Sequence, residues 1–356
     1  MSEELESLRK EIDAIDESLL NLMNQRAEIA KQIGAGKPAN NAPFFSPERE
    51  ETIYKRLLKI NKGPLEDKQV SAIFREIISA ARTLEKALVV AFLGPEGTFT
   101  HMASLQRFGS STTFLPVDTI TDTFQEVERS NADYGVVPVE NSTAGVVPET
   151  LDTFPQSNVR ICAELYVQIA HHLASHQKSL DDVKKIYTHT QPAQQCRRWL
   201  RTYLPNAEIV EVSSTSKAAE MANDDKMAAA ITNSLAAERV GIPLLVEHIE
   251  DNPHNRTRFL VIGYNEPRSV GKDKTSLMFT LRNQPGELYR ALGAFQNAEV
   301  NLTMIESRPA QRSGFEYVFY ADLQGHRSDG KMGVALKDLA KYVTDLTILG
   351  SYPEAE

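Results

Sequence analysis

The chain has 356 residues, of which 41% are hydrophobic and 24% are charged, so we expect two or three soluble globular domains. Its net charge of -9 argues against a nucleic-acid surface, and no apolar run approaches the length of a membrane span. The charged start MSEELESLRKEID is typical of neither a signal nor a transit peptide, and Cys162 and Cys196, which lack CxxC spacing, fit a reducing cytoplasm and give no zinc site.

The first 88 residues have a helical pattern throughout. The spacing predicts a long helix to about Ile33, a second helix that begins at Pro47, and a third from about Leu65 to Leu88. Arg26 interrupts the apolar face of the first helix, at a position that should be buried. That face, the α1 stripe, consists of Leu5, Leu8, Ile12, Ile15, Leu19, Leu22, Ile29 and Ile33.

Arg26 needs a partner, because desolvating an unpaired guanidinium costs several kcal/mol. The partner is either a carboxylate from a neighbouring helix or a ligand carboxylate or phosphate; alternatively, the side chain reaches water along its methylenes. Arg9 lies on the same helix, about 25 Å away at a rise of about 1.5 Å per residue. A small ligand shared by both cations would need a second, antiparallel copy of the helix, which predicts a dimer.

From residue 89 to about residue 263, short apolar segments alternate with helical ones, which is typical of an α/β domain. Strands are predicted at 88–93, 134–140, 186–188, 208–212, 227–231 and 259–262, with helices at 119–130 and 193–204. After the polar linker YNEPRSVGKDK, the pattern predicts strand 276–281, helix 286–297, strands 302–306 and 315–322, helix 332–342 and strand 346–349. This is the ferredoxin-like βαββαβ order.

Two features of the α/β region have alternative interpretations. Gly94 and Gly97 of FLGPEGTFTHMA lie between a predicted strand and helix, so the loop is either an anion site made of backbone N–H groups or a plain turn. It is not a dinucleotide or nucleoside triphosphate motif. The histidines of HHLASH, His171, His172 and His176, have no accompanying carboxylates and follow a predicted strand, so we expect no metal there.

The first block resembles the all-helical chorismate mutases in LRKEIDAIDESLLNLMNQRAEIAKQIGAGK, SPEREETIYKRL and IFREIISAARTLE. The resemblance implies a three-helix domain that forms an intertwined dimer. Arg26 would bind a substrate carboxylate, Arg9 would reach in from the other chain, and Lys37 would hold a carboxylate and the ether oxygen. The resemblance implies three further roles: Glu50 accepts from the ring hydroxyl, Glu85 faces the ether oxygen and Arg49 supports the site.

Two positions of the helical block depart from the mutase pattern. Ser46 stands where an aspartate is common, and Ala81 stands where a serine often contacts a carboxylate. Losing one such hydrogen bond costs roughly 1.5 to 3 kcal/mol, which weakens a site without abolishing it.

The α/β region resembles the prephenate dehydratases in GPEGTF, YGVVPVENSTAGVV, HTQPAQQCRRWL and NRTRFLVIG. The resemblance implies a two-lobed fold like the periplasmic binding proteins, with the site in the cleft and the first and last segments in the outer lobe. Thr257 would be the key threonine, a hydrogen bond donor to the leaving hydroxyl. The nearest acid is Glu140. The other implied substrate-binding residues are Gly97, Thr98, Asn141, Ser142, Thr143, Arg258 and Phe259, of which the last two would also hold Thr257 and its lobe.

The last block resembles the ACT domains attached to these dehydratases, in NQPGELYRALGAF and LTMIESRP. The resemblance implies that phenylalanine binds at a domain interface, with a pocket formed by Gly286, Leu288, Glu306, Ser307 and Arg308. Glu287 and Tyr289 depart from the commoner small and apolar residues. The alternative is a ferredoxin-like dimerisation domain without a ligand.

Together these patterns and resemblances imply an all-α mutase domain at 1–88, an α/β dehydratase domain at 89–265 and an α+β ACT domain at 274–352. We expect a bifunctional enzyme that converts chorismate to prephenate and then to phenylpyruvate, under feedback by phenylalanine. It would need no cofactor or metal, would bind no nucleic acid or membrane, and would form a homodimer or higher homo-oligomer. Two alternatives remain: a dehydratase whose helical domain is weakly active or purely regulatory, and a solute-binding sensor without catalysis.

Overall fold

A computed structural model describes residues 2–36, 45–310 and 317–355. The chain divides into two compact units, one from Met1–Val89 with Arg107–Thr113 and one from Val90–Gln106 with Phe114–Glu356. Lys37, which was expected to hold a carboxylate, lies outside the described residues. Within the described ranges, none of the helices is both long and apolar enough to cross a membrane.

The first unit is helical, as the sequence pattern predicts. Its helices are α1 (Ser2–Ala35), α2 (Pro47–Ile60) and α3 (Asp67–Glu85). Helix α3 ends three residues before the predicted Leu88, because Lys86 has an extended backbone conformation. Helices α1 and α3 approach closely where α1 carries Gly34: a Cβ placed there would lie 2.8 Å from Cγ of Glu85. The α1 stripe is left open, since each of its residues is more than half exposed.

In the second unit, the first and last α/β segments share one sheet, which we call the outer lobe. Its strand order is β2-β1-β3-β11-β5, and β4 pairs with β3. Strands β1 and β3 are parallel, whereas β11 runs antiparallel to both β3 and β5. The elements of this lobe are β1 (Val89–Leu93), α4 (Phe99–Phe108), β2 (Thr113–Val117), α5 (Ile120–Glu128), β3 (Tyr134–Asn141), β4 (Gly145–Val146), α6 (Pro148–Thr153), β5 (Arg160–Gln168) and β11 (Arg256–Gly263).

The middle segment forms a second sheet, the inner lobe, with the order β10-β6-β9-β7-β8. Alanines on α9 and β9 pack closely in its core, where small side chains let helix and sheet approach. The chain thus passes from the outer lobe into the inner lobe, forms its sheet, and returns to the outer lobe at β11. The elements here are β6 (His172–Ser175), β7 (Lys185–Thr188), α7 (Thr190–Gln195), α8 (Arg197–Tyr203), β8 (Glu208–Glu211), α9 (Thr215–Asp224), β9 (Ala228–Thr232), α10 (Ser234–Val240) and β10 (Leu244–Val246).

The last block has the predicted ferredoxin-like order. Its antiparallel sheet runs β13-β14-β12-β15. Helices α11 and α12 pack on it through a core that includes Phe279, Phe295 and Leu339. The elements are β12 (Asp273–Leu281), α11 (Glu287–Asn297), β13 (Leu302–Pro309), β14 (Tyr317–Gln324), α12 (Gly330–Leu339) and β15 (Val343–Pro353).

The prediction of one continuous helix at 193–204 is wrong. The chain forms α7 and α8 instead, with Cys196 between them in a non-helical conformation. The carboxylate of Asp251 accepts hydrogen bonds from the backbone N–H groups of Arg198 at 2.9 Å and Trp199 at 3.3 Å. A residue distant in sequence therefore caps the second helix, and periodicity within 193–204 gives no sign of it.

Strand β15 of the last block packs against strand β5 of the outer lobe at Gly350. A Cβ placed on Gly350 would lie 2.2 Å from the carbonyl oxygen of Ile161. That atom belongs to the backbone and cannot rotate away. Only a glycine permits this approach of the two strands.

We expect Gly350→Ala to destabilise the protein by about 1 to 3 kcal/mol, because the strands must separate to admit the methyl group. Gly293→Ala is the matched control, since a Cβ there meets no atom within 4 Å and the position is helical. Removing that glycine should stabilise α11 by about 0.5 to 1 kcal/mol. Thermal and urea denaturation measure both changes, and equal effects of the two variants would contradict the close approach.

Candidate functional site

Thr257 and Asn141 lie opposite each other at the edge of the outer lobe, where β11 pairs with β3. Thr257 Oγ1 accepts a hydrogen bond from Asn141 Nδ2 at 2.8 Å, and both residues are buried. The hydroxyl proton of Thr257 has no acceptor among the described residues. Thr257 can therefore donate a hydrogen bond to a ligand while Asn141 holds its oxygen in place.

Asn141 also orders the turn that follows β3. Its Oδ1 accepts from the backbone N–H groups of Thr143 at 3.0 Å and Ala144 at 2.9 Å. Asn255 completes the cluster, because its Oδ1 accepts from Asn141 Nδ2 at 2.9 Å and Thr143 Oγ1 at 3.2 Å. Ser142 Oγ accepts from the Arg256 N–H at 3.0 Å. The structure thus brings Asn141, Ser142, Thr143 and Thr257 together, around an asparagine that sequence reasoning missed.

A cavity of about 350 Å³ opens beside this cluster, between the lobes. We call this space the interlobe cleft. Thr143, in the turn after β3, and Asn255, just before β11, border it from the outer lobe. Glutamines of the HTQPAQQC segment border it from α7. This segment is one of the motifs that resemble the dehydratases, but no local pattern distinguishes its glutamines as cleft residues. The lining consists of Thr143, Ala144, Gln191, Gln194, Gln195, Glu250, Asp251, Asn252 and Asn255.

Gly97 connects the loop after β1 to the inner lobe. Its φ of +85° and its surroundings both require glycine, since a Cβ would lie 2.9 Å from Ser216 Oγ. Its carbonyl oxygen accepts from Asn233 Nδ2 at 2.8 Å. Thr98 instead begins α4: its hydroxyl donates to the Leu93 carbonyl at 3.2 Å and accepts from the His101 N–H at 3.3 Å.

Glu250 borders the interlobe cleft and contacts the buried His171. The Glu250 carboxylate accepts from the His171 N–H at 2.8 Å and contacts His248 Nδ1 at 3.1 Å. Burial acts to raise the pKa of Glu250, but these hydrogen bonds outweigh it and hold the pKa below its usual range. Burial lowers the pKa of His171, whose Nε2 lies 2.6 Å from Gln195 Oε1. Glu250, at the cleft, therefore favours its charged form, whereas the adjacent His171 favours its neutral form.

The structure does not bring Glu140, Arg258 or Phe259 to Thr257. Glu140 and Arg258 oppose each other in the ladder, so both lie on the face opposite Thr257. The Arg258 guanidinium is buried against Glu164, Asp322 and Tyr352. The Phe259 side chain belongs to the hydrophobic core.

Each of the three histidines of the HHLASH segment contacts a different partner. His171 contacts Gln195, the ring of His172 lies edge-on to that of His248, and His176 Nε2 lies 2.8 Å from Asn223 Oδ1. The described residues contain no group of three or more His, Cys, Asp or Glu side chains that could hold a metal ion.

In the helical unit, Arg26 is half-buried on the α1 stripe. No described acidic side chain forms an ion pair with it, and burial lowers its pKa, with nearby Tyr54 opposing the shift. Glu85 packs on Gly34, two helical turns further along α1. Arg9 is exposed, and its Nη1 lies 3.8 Å from Oε2 of Glu6. Within one chain, Arg26 thus has an open guanidinium without a protein counter-charge among the described residues.

Glu50 already has protein partners in the helical unit. Its oxygens accept from Arg82 Nη2 at 2.8 Å and from Arg107 Nη1 at 3.1 Å. Burial and the charge of Glu50 raise the pKa of Tyr54 to about 12. Arg49 is exposed, Ser46 precedes α2 without a side-chain cap, and Ala81 is buried on α3.

In the last block, the expected effector residues lie on α11 and the edge strand β13. Gly286 has a φ of +83° and precedes α11, and Leu288 follows it on the helix. On β13, Glu306 and Arg308 share the half-buried face, whereas Ser307 is exposed. Arg308 is bidentate with Asp152 of α6, at 3.0 and 2.8 Å.

Comparison with known families covers all three regions. Family models match for chorismate mutase type II at residues 8–86, prephenate dehydratase at 90–267 and the ACT domain at 275–340. A bifunctional chorismate mutase/prephenate dehydratase of Aquifex aeolicus is 46% identical over 99% of both chains. Its counterpart in Stutzerimonas stutzeri is 41% identical, again over 99% of both.

A solved structure is similar over three quarters of the chain. It is a prephenate dehydratase from Arthrobacter aurescens in complex with L-Phe, 36% identical, with a TM-score of 0.69. The match covers 75% of this chain and 90% of that one. The chain therefore belongs to the bifunctional chorismate mutase/prephenate dehydratases, which rearrange chorismate to prephenate and convert prephenate to phenylpyruvate for phenylalanine synthesis.

Proposed function

We propose that the two reactions use separate sites: prephenate binds in the interlobe cleft beside Thr257, and chorismate binds on the α1 stripe beside Arg26. The observation that carries the first assignment is the hydrogen bond from Asn141 Nδ2 to Thr257 Oγ1, which leaves the threonine proton for the substrate. The corresponding domain limits are 1–88, 89–265 and 274–352. Both cysteines are buried thiols, which supports a reducing cytoplasm as the location.

In the cleft, the ring carboxylate of prephenate leaves as carbon dioxide. The electron pair of the broken carbon–carbon bond moves into the ring and expels the hydroxyl group, which takes up a proton and leaves as water. A threonine hydroxyl is a poor acid, so Thr257 donates a hydrogen bond that polarises the leaving group. Gly97, Thr98, Asn141, Ser142 and Thr143 form the substrate-binding set. We propose that Arg258 and Phe259 hold β11 in place and that Glu140 stabilises the turn beside it.

At the mutase site, a pericyclic rearrangement requires folding of the substrate and stabilisation of the charge on the breaking carbon–oxygen bond. Arg26 supplies a cation to a substrate carboxylate, and Glu85 faces the ether oxygen. Lys37 and Arg49 complete the set of residues around the substrate. Arg9 comes from a second copy, because about 25 Å of helix separates it from Arg26 in one chain. The open α1 stripe supports this dimer, since an exposed apolar face of this length favours association.

A second candidate is a dehydratase with a weak or regulatory helical domain. Two observations favour it: Glu50 is neutralised by Arg82 and Arg107, and Ala81 offers no hydrogen bond. Both leave fewer polar groups available to a bound ligand, although neither contacts the Arg26 side chain.

We also propose that phenylalanine binds the ACT domain through Gly286, Leu288, Glu306, Ser307 and Arg308 and inhibits dehydration. Support comes from the L-Phe complex of the Arthrobacter aurescens dehydratase and from the position of β13 at the end of the ACT sheet order. For the effect to be allosteric, the ligand must bind the less active state better.

Replacing Thr257 by alanine should lower kcat for prephenate about 100- to 1,000-fold, as the loss of one preorganised donor does elsewhere. Thr257→Ser is the matched control, because it keeps the hydroxyl and should keep most of the activity. Phenylpyruvate formation is measured, with chorismate turnover as the internal control. A near-normal kcat for the alanine variant would refute the role of Thr257.

The dimeric mutase site is tested with chains that carry Arg26→Ala or Arg9→Ala. Each homodimer should lose about 10- to 100-fold in kcat/KM for chorismate, because a charged hydrogen bond is lost at every site. A purified heterodimer of the two should recover about half the wild-type turnover, since one of its two sites has both arginines intact. A heterodimer as inactive as its parents contradicts the shared site, and full activity of both parents favours the second candidate.

Phenylalanine binding is measured by calorimetry on the full chain, together with inhibition of phenylpyruvate formation. Leu288→Lys should weaken binding at least about tenfold, because it places a charge against the apolar side chain of the ligand. Val334→Lys introduces the same charge on the exposed face of α12 and should leave binding unchanged. The assignment fails if both variants bind phenylalanine as the wild type does.

A further inference from the structure

Tyr54 lies on the inward face of helix α2, one helical turn after Glu50. The buried or half-buried residues of this face recur at spacings of three and four, as Glu50, Ile53, Tyr54 and Leu57. Tyr54 is also close enough to Arg26 of α1 for the two side chains to interact electrostatically. Its hydroxyl has no hydrogen-bond partner among the described residues. The helical unit therefore has an unused hydroxyl near the Arg26 guanidinium, which itself forms no ion pair with a described acid.

The groups around Glu50 leave this region positively charged. The two carboxylate oxygens of Glu50 accept from Arg82 Nη2 at 2.8 Å and from Arg107 Nη1 at 3.1 Å. Two guanidinium groups thus share one carboxylate. In the described part of the chain, Arg82 Nη1 and Arg107 Nε are buried without a hydrogen-bond partner. One positive charge of this cluster is uncompensated, which favours an anion as the ligand bound nearby.

The Tyr54 hydroxyl stays protonated in these surroundings. Burial and the charge of Glu50 raise its pKa to about 12, although Arg107, Arg75 and Arg82 oppose the shift. The phenol is therefore neutral at physiological pH and can donate its proton in a hydrogen bond. Guanidinium N–H groups are donors too and cannot accept. Donors from α1 and α2 together select a ligand group that accepts, and a carboxylate accepts from both at once.

Packing alone does not require a hydroxyl at this position. A leucine would cover the same face of α2 and would not carry the cost of removing a polar group from water. On α3, Ala81 offers no hydrogen bond at the position where the mutase pattern often has a serine. A hydroxyl on α2 supplies the kind of donor that α3 lacks.

We propose that Tyr54 is a substrate-binding residue of the mutase site: its hydroxyl donates a hydrogen bond to the chorismate carboxylate that Arg26 binds. This inference rests on the proposed role of Arg26. It replaces the contact that Ala81 cannot make, and it supports an active helical domain.

The first test compares Tyr54→Phe with Tyr203→Phe in the full chain. Each variant loses one hydroxyl and keeps its ring, and the Tyr203 side chain is 57% exposed in the second unit. For Tyr54→Phe we expect kcat/KM for chorismate to fall about 10- to 100-fold, as for the loss of a hydrogen bond to a charged group. For Tyr203→Phe we expect a value within about twofold of the wild type. Consumption of chorismate is measured.

A double-mutant cycle with Arg26→Ala distinguishes a shared carboxylate from a structural role of Tyr54. Once Arg26 no longer holds the carboxylate, the added change Tyr54→Phe should lower kcat/KM less than about threefold, because the two donors act on one group. Slow variants are assayed at raised enzyme concentration. Phenylpyruvate formation from prephenate is the internal control for folding and should be unchanged in every variant.

Three results would overturn the inference. The first is a kcat/KM of Tyr54→Phe that equals that of Tyr203→Phe. The second is an equal factor of loss with and without Arg26, since the hydroxyl would then act independently of the carboxylate. The third is a parallel loss of prephenate turnover in Tyr54→Phe, which would indicate misfolding. If Arg26→Ala stays fully active, the proposed mutase site falls and this inference with it, whereas an impaired Arg26→Ala beside a normal Tyr54→Phe removes this inference alone.

Discussion

The alternation of side chains along strand β11 is the constraint on which the second unit depends. Consecutive residues of a strand lie on opposite faces, so Thr257 meets Asn141 on one face while Arg258 meets Asp322 on the other. A single strand therefore belongs both to the cleft and to the contact with the ACT sheet. Moving it would alter the polar cluster and the buried charges at once.

The cleft is built from amides and hydroxyls, with few charges. Asn141 holds the Thr257 oxygen and the turn amides, and Asn255 holds Asn141. Such a site suits a reaction driven by aromatisation, in which the protein has to orient the substrate and assist departure of hydroxide. The helical unit differs, because there the Arg26 cation is half-buried beside an exposed apolar stripe and has no acidic partner among the described residues.

Much of this architecture follows from the sequence pattern. The helical first block, the α/β alternation and the ferredoxin-like order were all predicted and are confirmed. The continuous helix at 193–204 was wrong, because Asp251 caps the second half from outside the segment. Asn255 was missed for a similar reason: its amide contacts residues more than a hundred positions away, and only the sheet brings them together.

The sequence by itself determined the fold class and the order of the three blocks, since hydrophobic periodicity is a local property, and its motifs indicated the family. It also located Arg26 on an apolar face and Thr257 just before a predicted strand. Only the tertiary structure decided which partner each polar group has. Glu50 forms ion pairs with two arginines, and Arg258 forms one with Asp322 of the ACT sheet. Arg26 forms no ion pair with an acidic side chain of the described residues. Partners of buried charges are set by strand register and domain packing, and these arise from contacts far apart in the chain.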